Sequence, residues 1–167
     1  MKLVFATHNS NKLKEIQQLV PEFIELVSLD TIGCTEEIPE TAKTLEGNAK
    51  IKADYVTKNH KLPCFADDTG LLVNSLNGEP GIYSARYADP QNDSQANMTK
   101  LLSNLIGKND RSAHFKTVIA LNLNGETHIF EGIIDGEIIE DKKGKNGFGY
   151  DPIFVPNGYN ETFAQLP

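Results

Sequence analysis

Residues 2–29 read KLVFATHNSNKLKEIQQLVPEFIELVSL, and the fold class turns on how this stretch is parsed. LVFA at 3–6 is a short continuous apolar run of the buried-strand type. Leu13, Ile16, Leu19 and Val20 then recur at helical spacing until Pro21 stops the pattern. IELVSL at 24–29 forms the next strand. A β-loop-α-β unit of this kind pairs its strands in parallel through a right-handed crossover, which makes the first strand central. Between strand and helix lie Thr7, His8, Asn9, Ser10, Asn11 and Lys12, six polar residues without a glycine. Two readings of them stand side by side. Asn9 or Ser10 caps the helix and Lys12 is a surface cation; or the free N–H groups and positive dipole end of the helix, with Thr7, Asn9 and Lys12, hold an anion. The glycine-rich G-x-x-x-x-G-K-[ST] loop is not matched, so any phosphate grip here relies on side chains and the helix terminus.

Working outward, Leu45, Ala49, Ala53 and Val56 form one apolar stripe between Thr44 and Asn59, with Lys50, Lys52, Asp54 and Lys58 on the wet side of a surface helix. CFADDTGLLVNSL at 64–76 reads as strand, turn, strand, with Gly70 allowing the turn. NGEPGIYSARYADP at 77–90 is loop-like, punctuated by Gly78, Pro80, Gly81 and Pro90. Met98, Leu101, Leu102, Leu105 and Ile106 mark a third helix. The second half changes to β-type runs, AHFKTVIALNL, THIFEGIIDGEII and PIFV, the first two joined by a hairpin signal at NGE. The expectation is an α/β fold: a mixed sheet flanked by helices, with the β-rich part forming a second lobe.

The bulk composition narrows the function classes. A chain of 167 residues, 39% hydrophobic and 23% charged, is one soluble globular domain, spanning 1–167. No stretch approaches the roughly 18 apolar residues that a membrane span requires, and the start lacks a signal-peptide pattern, so a cytoplasmic protein is expected. Cys34 and Cys64 lie far apart without metal spacing and read as reduced structural thiols. The net charge of −7 argues against a nucleic-acid polymer, whose binding draws on a broad basic face. It leaves room for a small anion bridged by a divalent metal. Glu36, Glu37, Glu40 and Glu46 crowd one segment, and Asp67 and Asp68 stand adjacent in another; a solvated acidic face is the alternative.

FADDTGLL is the strongest local anomaly. Neighbours in a strand point to opposite faces, so Asp67 and Asp68 serve different ends, and a carboxylate at the end of a central strand lies beside the usual ligand crevice of an open α/β sheet. An Asx-turn by Asp68 or Thr69 is the structural alternative. Crowded acids need a cation or a proton, and Glu40, Glu46, Asp67 and Asp68 would suit Mg²⁺, which takes few protein carboxylates, keeps waters and completes its shell with substrate phosphates. A remaining carboxylate could deprotonate one of those waters, which is hydrolase chemistry. In GKNGFGYDPIF at 144–154, Gly147 and Gly149 flank Phe148 and Tyr150 follows, placing two rings on a backbone able to approach a flat ligand; plugging the sheet end is the alternative use of the same rings. His8, His60, His114 and His128 show no metal-type spacing.

Taken in order, FATHNSNKLKEI, EEIPETAKTLEGNAKIKA, FADDTGLLVNSLNGEPGIYSARYA, GFGYDPIF and GYNETFAQLP closely resemble the inosine triphosphate pyrophosphatase family, the XTP/dITP diphosphatases, from Leu3 to Pro167. The resemblance implies a cytoplasmic homodimeric enzyme with an elongated mixed sheet in two lobes around a central substrate crevice. It implies hydrolysis of ITP, dITP or XTP at the α–β phosphoanhydride, giving the monophosphate and pyrophosphate and clearing deaminated purines from the nucleotide pool. Carried onto these residues, Thr7, His8, Asn9, Ser10, Asn11 and Lys12 hold the triphosphate; Glu40 and Asp68 hold Mg²⁺; Asp68 accepts the proton of the attacking water; Thr69 contacts substrate; Phe148, Gly149, Tyr150 and Asp151 frame the base. Asp67 and Glu46 are supporting acids, and Lys50 is a lesser candidate for an anion contact. The family continues beyond TFAQLP into a helix with a Lys and a Ser-His-Arg motif that recognises the 6-oxo purine, and this sequence stops at Pro167 without it. Two other readings accompany that departure: a nucleotide-binding protein with little or no turnover, and a Maf-like pyrophosphatase acting on other modified nucleotides.

Overall fold

The structure, a computed structural model, describes residues 1–88 and 93–167. Asp89 and Pro90, the end of the expected 77–90 loop, lie outside the described residues. The elements in chain order are β1 (Lys2–Phe5), α1 (Ser10–Gln17), β2 (Glu25–Val27), α2 (Leu45–His60), β3 (Cys64–Val73), β4 (Pro80–Gly81), α3 (Ser94–Asn104), β5 (Ser112–Leu123), β6 (Glu126–Ile138) and β7 (Phe154–Pro156). The strands form a seven-stranded mixed sheet in the order β2-β1-β3-β5-β6-β7, with β4 on β3. The chain divides into two compact units, Met1–Asp68 with Val118–Glu131, and Thr69–Thr117 with Gly132–Pro167. Among the described residues no helix is long and apolar enough to cross a membrane.

In the first unit β1 is central, as expected. It pairs in parallel with β2, Lys2 opposite Glu25, and with β3, Phe5 opposite Phe65. Phe5 and Phe65 stack at 4.4 Å between ring centroids, and Leu13, Ile16 and Val20 from the helix side pack against the same cluster with Leu3 and Leu26. Helix α2 is capped by Thr44, whose Oγ1 accepts the Gly47 N–H at 3.0 Å, and buries Ala49, Ala53 and Val56 completely. The hairpin signal is confirmed: Asn124 and Gly125, at φ +54° and +79°, are the left-handed pair that a two-residue turn between β5 and β6 demands.

Lys61 closes α2 in the left-handed conformation at φ +53°, with its N–H on Thr57 O. A lysine gains nothing there that glycine would not supply with less strain. Lys61→Gly is expected to stabilise the protein by about 0.5 kcal/mol, read as a rise of one or two degrees in the thermal midpoint; a fall would show that the lysine stem packs productively. Both cysteines are buried and unpaired. Burial, aided by the Glu36 carboxylate, pushes the Cys34 thiol up to about 11, and burial pushes Cys64 up to about 12. Thiolate is the reactive form. A thiol reagent at pH 7.5 is therefore expected to label neither residue in the native protein and both in denaturant.

The second unit is built on Leu71, Val73, Met98, Leu101, Leu105, Ile138, Ile153 and Phe154, all essentially buried. Strand β7 pairs antiparallel with β6, Gly136 opposite Pro156. Residues 162–166 lie as a strap along the segment that follows β6. The Lys145 and Asn146 N–H groups donate to Ala164 O at 3.1 and 2.9 Å, and the Thr162 hydroxyl donates to Lys143 O at 2.7 Å. Gly144, at φ +92°, makes this approach feasible, since a Cβ there would stand 2.3 Å from the Ala164 carbonyl carbon.

One strand expectation is corrected. CFADDTGLLVNSL contains no turn at Gly70: Cys64–Val73 is one continuous strand, so the Asx-turn reading of Asp68 is overturned. Gly70 is buried within β3, where sheet neighbours override the local turn preference of Asp and Gly. Strand β6 is open over most of its length. Ile129, Phe130, Ile133 and Ile134 are all exposed, Phe130 to 54%.

Candidate active site

The polar turn after β1 is a built cap. The Asn9 side-chain oxygen accepts the Asn11 and Lys12 N–H groups at 3.0 and 3.2 Å, and the Thr7 hydroxyl accepts the Asn9 N–H at 3.0 Å. The capping and anion readings therefore compete for the same donors, because three N–H groups at the helix start are already used locally. The His8 ring turns to another segment, with Nε2 3.1 Å from Glu36 O and Nδ1 3.5 Å from Asp30 Oδ1. Lys12 carries the cationic chemistry of the turn. Its ammonium donates to Asp67 Oδ2 at 2.9 Å, and the two side chains are 24% and 11% exposed.

A second cation joins from α2. Lys52 was expected on the wet side of that helix, and the structure corrects this: its side chain is 13% exposed and its ammonium lies 3.1 Å from Glu40 Oε1. The same ammonium donates to the Asp67 backbone oxygen. Glu40 precedes α2, and the chain between them folds back tightly onto the helix start. The Ala42 N–H donates to Asn48 Oδ1 at 2.9 Å; Gly47 leaves the room, since a Cβ on it would meet the Ala42 side chain at 2.6 Å.

Asp67 and Asp68 diverge, as alternation along β3 requires. Asp67 engages Lys12, while Asp68 belongs with Glu40, Asn48 and Lys52. Burial pushes the Asp68 carboxyl up to about 6; Lys52 opposes this, the Glu40 and Asp67 charges add to it, and a hydrogen bond from Asn48 pulls back. Its Oδ2 has no hydrogen-bond partner among the described residues and almost no solvent access. A buried carboxylate oxygen without a donor is costly unless a cation completes it. No group of three or more His, Cys, Asp or Glu with metal-binding geometry occurs among the described residues. The donor set that remains, Glu40 and Asp68, fits a hard cation that draws most of its shell from water and phosphate. Glu46 and Lys50 instead pair with one another on the helix surface, 3.5 Å apart and about half exposed.

The remaining candidates lie in the second unit. Thr69 shares a hydroxyl contact of 2.9 Å with Thr117. The Asp151 carboxylate accepts the Phe148 N–H at 3.0 Å, which fixes the 147–151 loop; Gly147 makes this possible, because its own Cβ would collide with that carboxylate. Phe148 is 40% exposed, a ring open to a flat ligand, whereas Tyr150 is 5% exposed. The Tyr150 hydroxyl donates to Ser84 O at 2.7 Å, and burial pushes its pKa well above the usual phenol range. Of the two rings expected to be available, Phe148 is exposed and Tyr150 braces the loop from beneath. Lys52 is the one charged residue of the site that the sequence reading placed elsewhere, and no periodicity signal could have found its pairing with Glu40.

Comparison with known proteins adds an independent line. The sequence profile described as the Ham1 family matches residues 3–167. A dITP/XTP pyrophosphatase of Flavobacterium johnsoniae is 60% identical over 167 residues, covering 100% of this chain and 87% of that protein. A dITP/XTP pyrophosphatase of Bacillus subtilis is 46% identical, with 98% and 84% covered. Among solved structures, the Staphylococcus aureus Ham1 protein superposes with a TM-score of 0.91 at 39% identity, covering 100% of this chain and 87% of that one. A HAM1 protein from Coxiella burnetii gives 0.92 at 39% identity with the same coverage.

Proposed function

Because this chain belongs to the Ham1 family, we propose that it is a nucleoside triphosphate diphosphatase that hydrolyses deaminated purine nucleotides, ITP, dITP and XTP, to the monophosphate and pyrophosphate. The observation that carries the reading is the buried, partnerless Oδ2 of Asp68 beside Glu40 and Lys52, in the middle of a strand that also presents Asp67 to Lys12.

In this mechanism Glu40 and Asp68 would hold Mg²⁺, which would neutralise phosphate charge and acidify water when bound. Lys12 and Lys52, fixed by Asp67 and Glu40, offer point charges to the phosphate oxygens. The Asp68 carboxylate takes the proton as water oxygen bonds to phosphorus; the bridging α–β P–O bond breaks and its electron pair leaves with pyrophosphate. Without metal, burial raises the Asp68 carboxyl to about 6; a cation beside it would favour the ionised form, the one able to accept a proton. Phe148 stacks on the base while Tyr150, Gly149 and Asp151 hold its loop in shape. Thr7, Asn9, Ser10 and Asn11 line the triphosphate, with His8 tying their turn to the 30–36 segment. The enzyme works in the cytoplasm as a homodimer, as the family resemblance implies.

The deciding experiment scores pyrophosphate release from ITP, XTP, dITP, ATP and GTP, with Mg²⁺ and with EDTA. Fast release from the first three that EDTA abolishes is expected. Equal turnover of all five overturns the specificity, orthophosphate as the product overturns the bond assignment, and Mg²⁺-dependent binding without turnover leaves a nucleotide-binding protein.

A further inference from the structure

We infer that Asp67 is a positioning residue for the phosphate grip: it fixes the two ammonium groups of the site, Lys12 through its carboxylate and Lys52 through its backbone oxygen. The inference rests on the diphosphatase reading for the identity of the anion, and it deepens that reading by assigning a role to the residue beside Asp68.

The geometry makes Asp67 a node. Its side chain is 11% exposed and its Oδ2 accepts from Lys12 Nζ at 2.9 Å, although the two residues are 55 positions apart in sequence. One residue's carboxylate and carbonyl thus meet a cation from α1 and a cation from α2. A lysine ammonium has three donors on a flexible four-carbon stem. One donor fixed by Asp67 removes most of the stem's freedom and leaves two donors for a phosphate oxygen. The price in electrostatics is plain, because Asp67 puts a negative charge near the place where a polyanion must bind. Two opposite expectations follow from the same contact. If alignment of Lys12 dominates, removing the carboxylate weakens triphosphate binding; if Asp67 only competes for the cation, removing it strengthens binding.

Alignment is the side the structure favours. Lys12 is 24% exposed, so its ammonium is partly drawn out of water, where hydrogen-bond geometry counts for more than distant charge. The β3 backbone that fixes Asp67 also fixes Asp68, so the same contact holds Lys12 in register with the proposed metal-binding carboxylate.

The test is a double-mutant cycle on the full chain with Asp67→Ala, Lys12→Ala and the pair, using ITP and Mg²⁺, with kcat and KM measured separately and thermal midpoints recorded. Asp67→Ala is expected to raise KM by about 10-fold or more, the scale of a charged hydrogen bond, with kcat much less affected. In the Lys12→Ala background the same change is expected to add almost nothing. Asp67→Asn, which keeps an acceptor oxygen for Lys12, is expected to restore part of the KM. A lowered or unchanged KM in Asp67→Ala, or additive losses in the pair, overturns the inference. Should Asp67→Ala fail to fold, Asp67→Ser replaces it, being polar in the strand yet too short to reach the ammonium. If the wild-type chain hydrolyses no triphosphate, the diphosphatase reading fails by itself, and the same cycle read in tripolyphosphate binding still decides whether Asp67 acts through Lys12.

Discussion

Asp68→Asn is expected to reduce turnover of ITP by about 10²- to 10⁴-fold, the usual scale for loss of a general base, while making the metal-free protein more stable at neutral pH. Both effects come from one environment. Burial raises the Asp68 carboxyl from its ordinary 3.8 to about 6, so the fold prefers its neutral form. Below pH 4 both folded and unfolded chains carry it protonated and it costs nothing. As pH rises through 4 to 6 the unfolded chain ionises first, so stability falls; above 6 the loss is complete and levels off. The difference between the two values corresponds to roughly 3 kcal/mol at most. Asparagine has no charge to bury, so in EDTA the variant's stability lacks that decline. Mg²⁺ is then expected to raise the wild-type midpoint and leave the variant nearly unmoved, because only a ligand held by the native state stabilises it. Urea titrations at pH 4, 5, 6 and 7.5, with and without Mg²⁺, alongside a pyrophosphate assay, separate these effects. Turnover within tenfold of wild type would remove Asp68 from the chemistry.

Gly144→Ala should be among the most damaging single methyls in the second unit. The new Cβ would lie 2.3 to 2.6 Å from three backbone atoms of Ala164 and Gln165, at a φ of +92°. Neither problem is relieved by a rotamer change, since the obstacle is main chain. The left-handed strain costs about 1 kcal/mol, and displacing the strap endangers the two bonds to Ala164 O from Lys145 and Asn146. A total loss of about 3 kcal/mol or more is expected, a large part of the 5–15 kcal/mol typical of a whole domain. Gly149→Ala is the matched control. It also has a positive φ, +61°, but nothing lies within 4 Å of its Cβ, so only the strain remains. Equal losses in urea midpoint for the two variants would show that the strap yields freely. The functional counterpart is a raised KM in Gly144→Ala, because the Ala164 N–H donates to Asp151 O and Asp151 in turn holds the Phe148 N–H.

Local signals along the chain were legible where one physical effect dominated. The opening β-loop-α-β unit, the apolar stripe of α2 and the Asn124–Gly125 hairpin follow from periodicity and backbone freedom alone, and the structure agrees with each. Misreadings arose where distant partners outweighed local preference. Asp67-Asp68-Thr69-Gly70 has the composition of a turn, yet neighbouring strands hold it extended. Lys52 sits beside the apolar stripe and looks solvated until Glu40, twelve positions earlier, is brought to it by the Ala42–Asn48 contact. Tyr150 and Phe148 look equivalent in sequence, and only the Ser84 carbonyl distinguishes the buried ring from the open one. The adjacent carboxylates were conspicuous from the start; which of them pairs with Lys12 and which keeps one buried oxygen unpartnered required coordinates.

The exposed face of β6 also governs how the protein behaves as a colloid. Between Glu126 and Asp135, Ile129, Phe130, Ile133 and Ile134 alternate with Glu126, Glu131 and Asp135, so charge interrupts what would otherwise be a sticky β ribbon. Such interruptions are the gatekeepers that keep strands from stacking into fibrils. All three are carboxylates, and the chain as a whole carries a net −7. Acidification towards the isoelectric point, near pH 5.1, therefore weakens the local barrier and the long-range repulsion together. A purification or storage step near pH 5 would meet a surface that neutral buffer keeps dispersed, and Ile133→Lys is the substitution that would keep that surface soluble there.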